Sequence, residues 1–103
     1  MQKNRTALQE KIGYTFKETN LLERALSHSS YINETRSGRP SNERLEFLGD
    51  SVLNFITAEY VYGAFPSLPE GELTRLRAAA VCEDSLCRFA REIGLGANLM
   101  LGR

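Results

Sequence analysis

The chain has 103 residues, of which 42% are hydrophobic and 25% are charged, and its formal net charge is zero. This composition is ordinary for one globular domain and excludes disorder as the main state, while the balanced charge does not favour a strongly basic nucleic-acid binder. No apolar run approaches the roughly 20 residues of a membrane span. The polar N-terminus leads into no secretion signal. We therefore expect a cytoplasmic protein without a membrane partner.

The first 42 residues predict two short helices and a loop. Leu8 and Ile12 have helical spacing, and Gly13 is a typical stop after them. The apolar residues between 21 and 26 predict a second helix. The polar stretch 28–42 then predicts the longest loop.

A long helix is predicted from about residue 42 to about residue 62, ended by Gly63 and Pro66. Apolar residues recur with a helical period along it, and no strand-like alternation occurs anywhere in the sequence. The predicted fold class is therefore all-α, with this long helix as the central element.

Two shorter helices are predicted after the long one. Ser67 and Glu70 have the spacing of a capping box, which predicts the start of the first of them. A break near Cys82 separates it from the second, which Gly94 ends. The apolar run 99–101 is followed by nothing that could cover it, so we interpret the chain as cut rather than complete.

The two cysteines and the single histidine predict neither a metal site nor a catalytic pair. Cys82 and Cys87 lie five residues apart and form no Cys-x-x-Cys motif, so we expect small core residues rather than a disulfide or zinc site. We interpret His28 as a structural hydrogen-bonding residue rather than a general base. Any metal would then be held by carboxylates.

Three carboxylates share one side of the long helix. On a helical wheel of about 100° per residue, Glu43, Glu46 and Asp50 fall within about 60°. Like charges at this spacing repel, and hard oxygen ligands suit Mg²⁺ or Mn²⁺, so Glu46 and Asp50 are candidate ligands of one cation. The alternative is that Glu43 and Glu46 only complement the helix dipole. The opposite side of the wheel is the predicted core face: Leu45, Leu48, Val52 and Ile56.

Two more residues of this helix suggest close contacts. Phe47 falls on the acidic side, so it is either buried by the rest of the domain or inserted into a pocket of a partner. Gly49 lies beside the core face and costs about 1 kcal/mol in helix propensity, which predicts the close approach of another backbone.

The run from Glu43 to Leu53, Glu-Arg-Leu-Glu-Phe-Leu-Gly-Asp-Ser-Val-Leu, resembles the signature of the ribonuclease III family of double-stranded-RNA endonucleases. The match is dense and has no gap. Further segments resemble that family's nuclease domain in the same order, so the likeness covers nearly the whole chain and is strongest to the bacterial class. These segments are 13–16, 25–30, 69–77, 95–96 and 101–102.

The resemblance implies a metal-dependent endoribonuclease that acts in RNA processing, hydrolyses phosphodiester bonds of double-stranded RNA and works as a homodimer. Glu46 and Asp50 match the family's catalytic metal ligands, with Mg²⁺ as cofactor and Mn²⁺ as a substitute. Glu43 and Glu70 match supporting acidic residues, although a capping role is the alternative for Glu70. Phe47 matches the aromatic residue that enters the partner subunit.

The sequence does not decide which residues contact RNA. Arg75 and Arg77 could contact phosphates across an A-form minor groove or could be solvated helix charges. Arg36 and Arg39 are equally ambiguous.

Two parts of the family's pattern are missing. Its second acidic pair, Asp-x-x-Glu, occurs nowhere in the chain, because Asp84 is followed by Ser85, Leu86 and Cys87. Its double-stranded-RNA-binding domain is absent too. We therefore interpret residues 1–103 as a partial nuclease domain that is inactive alone. The alternative is a non-catalytic module of this fold that dimerises or docks onto structured RNA.

Overall fold

The computed structural model describes residues 2–102, with side chains from Arg5 onward, and all regular elements in that range are helices. This confirms the all-α prediction for the described residues. The single extended feature among them is an isolated parallel bridge between Ser27 and Met100. No helix in this range is long and apolar enough to cross a membrane. The elements are α1 (Gln2–Ile12), α2 (Thr19–Ala25), α3 (Ser29–Thr35), α4 (Glu43–Ala64), α5 (Glu70–Ala80), α6 (Glu83–Glu92) and a 3₁₀ helix (Leu95–Asn98).

Glycines end two of the helices where the sequence predicts it. Gly13 follows α1 with φ 72° and Gly94 follows α6 with φ 67°, in the left-handed region that glycine adopts at little cost. The predicted break near Cys82 is also present, between α5 and α6. Gly63 does not end α4, which continues through it to Ala64.

The predicted loop 28–42 is wrong in its first half, because Ser29–Thr35 forms α3. His28 Nδ1 accepts a hydrogen bond from the Ser30 N–H at 3.1 Å and so pairs a donor at the helix start, which confirms the structural role of His28. Arg36 ends the helix in the left-handed conformation. Because no side chain of α3 is buried, the helix has no apolar period for sequence analysis to detect.

The predicted capping box at the start of α5 is also wrong. The helix begins at Glu70, with Pro69 before it and no side chain capping it. The Pro69 carbonyl accepts hydrogen bonds from the N–H groups of Glu72 and Leu73. Glu70 therefore holds the first helical position rather than the third, and Ser67 lies outside the helix.

The chain forms two compact units. The first unit comprises the residues up to Glu46 and those from Ala90 onward, and the second comprises Phe47–Phe89. The first unit has a core of buried leucines from α1 and α2, against which half-buried apolar residues pack. The buried leucines are Leu8, Leu22 and Leu26, and the residues around them are Phe16, Ile93, Leu95 and Leu99.

A buried polar network adjoins this core. Arg5, only 6% exposed, is paired with Glu23 of α2 through its Nη2 and Nε atoms, both 2.9 Å from Oε2. Its Nη1 donates to the backbone carbonyl of Asn98 at 3.1 Å. Asn98 is itself buried and donates from Nδ2 to the Gly94 carbonyl at 3.0 Å. The network therefore connects α1, α2 and the 3₁₀ helix.

The last described residues run beside the start of α3. The Met100 N–H donates to the Leu26 carbonyl at 2.8 Å, and the Met100 carbonyl accepts from the His28 N–H at 3.0 Å. The Gly102 N–H donates to Ser30 Oγ at 2.9 Å. A Cβ atom at Gly102 would collide with the Ser30 carbonyl, so this close approach requires glycine.

The expectation that the apolar run 99–101 is uncovered is therefore wrong for its first two residues. Leu99 packs against the leucine core, and Met100 is half-buried at the bridge to Ser27. Leu101 remains 57% exposed, as expected.

The second unit leaves most of its large apolar side chains exposed, and the predicted core face of α4 is wrong for all its residues except the half-buried Leu45. Leu48, Val52 and Ile56 are 60%, 47% and 54% exposed. The buried residue of α4 is Val61, which stands on the helical wheel at about the same angle as Glu43. A helical period identifies the apolar side of a helix, but burial needs a surface to cover it, and residues 2–102 provide none for this side.

Two other expectations of close packing are wrong in the second unit. No atom lies within 4 Å of the position that a Cβ at Gly49 would take, so no other backbone approaches it closely in the part of the chain described. Cys82 and Cys87 are exposed free thiols rather than core residues. The small size of these residues therefore does not reflect crowding.

Candidate functional site

The start of α4 is fixed to the end of α2. The Glu46 N–H donates to the Asn42 carbonyl at 2.8 Å, which begins the helical hydrogen-bond series. Asn42 donates from its own N–H to the Ser27 carbonyl at 2.8 Å and from Nδ2 to the Ala25 carbonyl at 2.9 Å. These bonds position the first turn of α4, where the acidic motif begins.

Glu43 has a local partner at this helix start. Ser41 Oγ accepts a hydrogen bond from the Glu43 N–H and donates one to Glu43 Oε1, both at 3.3 Å. A carboxylate in the first turn also complements the positive end of the helix dipole. Glu43 therefore lies where a carboxylate complements the helix dipole, the alternative that the sequence left open, and its Oε1 accepts a hydrogen bond from Ser41.

Glu46 and Asp50 are the other two carboxylates of the motif, and both are exposed, as Glu43 is. Helix α4 is continuous from one residue to the other, although it passes from the first unit to the second after Glu46. A four-residue spacing within one helix places two side chains on the same face. The hydrogen bond at Asp50 goes to its backbone carbonyl, which accepts from Asn54 Nδ2 at 2.9 Å. The structure therefore brings together on one helix face the two residues that the motif singles out.

This pair has the chemistry of a magnesium site with few protein ligands. Mg²⁺ prefers oxygen ligands, keeps several waters and is usually bound through one or two carboxylates. Among residues 2–102, no group of three or more acidic, histidine or cysteine side chains is placed to hold a metal. Glu46 and Asp50 are therefore two oxygen-bearing side chains that belong to no larger group of possible metal ligands in this range.

Glu70 lies in the second unit at the start of α5, where it lines a cleft of about 420 Å³. The cleft has walls from α4 and α5, and Glu70 is the acidic residue in its lining while Arg77 is the basic one. The other lining residues are Ala58, Val61, Tyr62, Leu73 and Thr74. Glu70 therefore shares this cleft with an arginine, and no second carboxylate lines it.

The arginines that were ambiguous in the sequence have different surroundings. Arg75 forms an ion pair with Glu72 of the same helix and is well exposed, as expected of a solvated helix charge. Arg77 is half-buried in the α4–α5 cleft. Arg36 and Arg39 are exposed, and Arg39 lines a groove of the first unit.

Phe47 is 79% exposed, the largest fraction among the large hydrophobic residues that the structure describes. The described residues therefore do not bury this ring. Three other aromatic residues of α4 are also well exposed: Phe55 at 68%, Tyr60 at 70% and Tyr62 at 76%. The described residues therefore leave much of the aromatic surface of α4 uncovered.

Sequence reasoning missed a polarised thiol at the junction of α5 and α6. A hydrogen bond with Ser85, 3.4 Å from Sγ to Oγ, lowers the pKa of the exposed Cys82 thiol. The Cys82 carbonyl accepts from the Leu86 N–H, which places Cys82 at the start of α6. The available signal was a serine three residues after a cysteine that directly precedes a helix.

Known proteins match this chain in sequence. The family model described as ribonuclease-III-like matches residues 18–103. The chain belongs to this family. Ribonuclease 3 of Enterococcus faecalis strain ATCC 700802 / V583 is 54% identical to it over 99 residues, and Ribonuclease 3 of Bacillus cereus strain AH187 is 53% identical over 96 residues. These matches cover 95% and 92% of this chain but 43% and 39% of the relatives, so the chain spans less than half of their length.

Solved structures of the nuclease domain of ribonuclease III from Campylobacter jejuni match the fold. Two of them superpose with TM-scores of 0.83 at 40% and 39% identity. The superposed residues make up 93% and 94% of this chain. They make up 64% and 63% of the two Campylobacter jejuni chains. One of these structures shows structural flexibility in the region that is involved in dimer formation of the Campylobacter jejuni nuclease domain. The prediction of a ribonuclease III nuclease fold, present in part, is therefore confirmed.

Proposed function

We propose that the chain is part of the nuclease domain of an endoribonuclease that hydrolyses double-stranded RNA in RNA processing. The observation that carries this proposal is the placement of Glu46 and Asp50. Both carboxylates are exposed on one face of an uninterrupted helix, four residues apart, within the motif that resembles the ribonuclease III signature. Membership of the ribonuclease-III-like family supports it.

The proposed cofactor is Mg²⁺, for which Mn²⁺ can substitute. When bound, such a cation supplies activation of water and stabilisation of the negative charge that develops on the phosphodiester. Glu46 and Asp50 hold the cation, while Glu43 orders the helix start through Ser41. Glu70 is the further supporting acid. Because two carboxylates are an incomplete ligand set, we expect weak metal binding and no appreciable cleavage by the 103-residue chain alone.

A chimera tests the activity. Residues 1–103 replace the matching segment of the Enterococcus faecalis Ribonuclease 3, and cleavage of duplex RNA is measured with Mg²⁺. We expect the chimera to cleave and its Glu46→Gln and Asp50→Asn variants to lose about 100-fold or more, because the reacting groups are then misplaced. The control is Glu92→Gln, which removes an exposed acid of α6 and should change little.

Wild-type cleavage rates in both the Glu46→Gln and Asp50→Asn chimeras would contradict the proposed site. A folded chimera that dimerises but does not cleave would favour the alternative of a non-catalytic dimerisation or RNA-docking module. Calorimetric titration of the 103-residue chain with Mn²⁺ tests the metal separately. A sub-micromolar site that survives the double change Glu46→Gln, Asp50→Asn would show that the cation binds elsewhere.

The proposed partner, besides double-stranded RNA, is a second copy of the chain. A two-fold dimer buries the Phe47 ring of each copy in one shared interface, and each ring contributes on the order of 2 kcal/mol. The 79% exposure of Phe47 supports this proposal.

Sedimentation at several concentrations tests the dimer. Phe47→Ala should shift the chain toward monomer while circular dichroism shows that the helices persist. The matched control is Leu101→Ala, which removes an exposed apolar side chain of the first unit and detects association through the C-terminal residues instead. A Phe47→Ala chain that is as dimeric as wild type would contradict the interface.

We also propose a cytoplasmic location. Cys82 and Cys87 are both free and exposed. Free thiols of this kind are typical of a reducing compartment, since oxidising compartments favour disulfides.

A further inference from the structure

The first unit contains a groove of about 790 Å³ that the proposed metal and dimer sites do not use. Its walls come from α2, α3 and the segment between α3 and α4, with Met100 completing the lining. Glu23, Arg24 and Arg39 are its charged residues.

The groove has a net positive charge. The carboxylate of Glu23 is already neutralised by Arg5, whose Nη2 and Nε atoms both lie 2.9 Å from Oε2. The two remaining charges in the lining are those of Arg24 and Arg39. Neither is in an ion pair with another of the residues 5–102, so the groove presents two uncompensated guanidinium groups to solvent.

The charged hydrogen-bond donors of the groove are the guanidinium groups of Arg24 and Arg39. Arg24 is half-buried, and its Nε donates to the Ser41 carbonyl at 3.4 Å, which holds the side chain while its two Nη groups remain available. The hydroxyls of Ser27 and Thr35 donate within the protein, to the carbonyls of Glu23 and Tyr31 at 2.7 and 2.9 Å, so they add no donor to the groove. A ligand that fits the two guanidinium groups is an anion whose oxygens accept hydrogen bonds.

We infer that this groove binds a phosphate group, whose oxygens accept hydrogen bonds from Arg24 and Arg39. Guanidinium groups pair with phosphate through two parallel hydrogen bonds, which favours phosphate over a smaller or uncharged ligand. The phosphate can belong to the backbone of duplex RNA or to a free nucleotide. The RNA case rests on the proposed function, whereas the nucleotide case does not.

Titration of the 103-residue chain with inorganic phosphate and with adenosine monophosphate, followed by amide chemical shifts, tests the site. We expect shifts at groove residues and a dissociation constant that rises about tenfold or more in Arg39→Gln, since a hydrogen bond to a charged group is lost. Arg24→Gln should act in the same direction. Because it also removes the bond to Ser41, circular dichroism must show an intact fold. The control is Arg91→Gln, which removes an exposed positive charge of the first unit outside the groove.

Fluorescence anisotropy with duplex RNA at several salt concentrations distinguishes the two sources. If RNA phosphate occupies the groove, each arginine change should reduce the salt slope of binding by about 1 relative to wild type. If the arginine substitutions weaken the binding of inorganic phosphate and adenosine monophosphate but not that of RNA, the source of the phosphate is a free nucleotide. The inference is overturned if the chain binds neither inorganic phosphate, nor adenosine monophosphate, nor duplex RNA. It is also overturned if Arg24→Gln and Arg39→Gln bind all three ligands with the same affinity as Arg91→Gln. Since phosphate binding needs no metal or cleavage, a failed chimera experiment leaves this test unaffected.

Discussion

The two units of the chain differ in how they bury their apolar residues. In the first unit, Leu8, Leu22 and Leu26 are 3–5% exposed, and Arg5 is buried with Glu23 and Asn98 as hydrogen-bonding partners. In the second unit, α4 has one buried residue, Val61, while its large apolar and aromatic side chains are exposed. The first unit therefore has a core made by its own residues, and the second has an apolar surface without cover.

This difference separates residues that the chain itself buries from residues of α4 that it leaves exposed. A substitution in the core of the first unit removes contacts that the folded chain already makes. Under the proposed dimer, a substitution on the exposed side of α4 removes contacts that form only on association. A comparison of one leucine from each unit tests this distinction directly.

The largest difference is expected between two leucines. Leu26→Ala should lower the free energy of unfolding by about 2–5 kcal/mol, because it leaves a cavity in the leucine core. Leu48→Ala, at a 60% exposed position of α4, should change it by about 0.5 kcal/mol or less. Urea unfolding at low protein concentration measures both. Equal losses would show that the second unit has a core that its exposed fractions do not reveal.

Removal of the buried arginine should have the next largest effect. Arg5→Met leaves the Glu23 carboxylate and the Asn98 carbonyl without their partner, and we expect a loss of about 2–3 kcal/mol. The loss is below that of a fully buried pair because Glu23 retains 28% exposure. The control is Arg91→Met in the same unit. If both variants unfold at the same urea concentration, the network does not contribute to stability.

Gly102→Ala should cost about 1 kcal/mol, because its Cβ collides with the Ser30 carbonyl and the hydrogen bond from the Gly102 N–H to Ser30 Oγ is lost. Gly96→Ala is the matched control, since nothing lies within 4 Å of the position of its Cβ. Faster amide exchange at Met100 and His28 in Gly102→Ala, but not in Gly96→Ala, would report loosening of this contact. Similar exchange in the two variants would contradict it.

The smallest effect concerns reactivity rather than stability. The hydrogen bond with Ser85 lowers the pKa of Cys82, so near pH 7 a larger fraction of it is thiolate than in a thiol without that bond. We expect iodoacetamide to alkylate Cys82 faster than Cys87 in the folded chain near pH 7. Ser85→Ala should slow the reaction of Cys82 at pH 7. Mass spectrometry of timed samples measures both rates, and a faster Cys87 would contradict the account.

The parts of the fold that depend on local rules could be predicted from the sequence. The stops at Gly13 and Gly94 follow from backbone conformations that glycine favours. The length of α4 follows from its apolar period to within two residues. Helix α3 could not be predicted in this way, because His28 caps it and none of its side chains is buried. The buried position of Arg5 was equally inaccessible, since its partners Glu23 and Asn98 are distant in the sequence.

The candidate site was predictable where it lies on one helix. The spacing of Glu46 and Asp50 alone places both on one face of α4. The position of Glu70 could not be predicted from the sequence, because it depends on where α5 begins and on the cleft that α5 forms with α4. The buried side of α4 was predicted wrongly for a related reason. An apolar period shows which side of a helix avoids water but not whether the same chain covers it.

Amide hydrogen exchange of the wild-type chain over a wide range of protein concentrations tests the central claim most directly. The claim is that the first unit is stabilised by its own core, whereas the exposed surface of α4 is covered by a second copy. We predict that amides of α2 exchange slowly at every concentration, and that protection of α4 after Phe47 increases as the concentration rises. Protection of α4 that stays constant with concentration, at whatever level, would contradict this account.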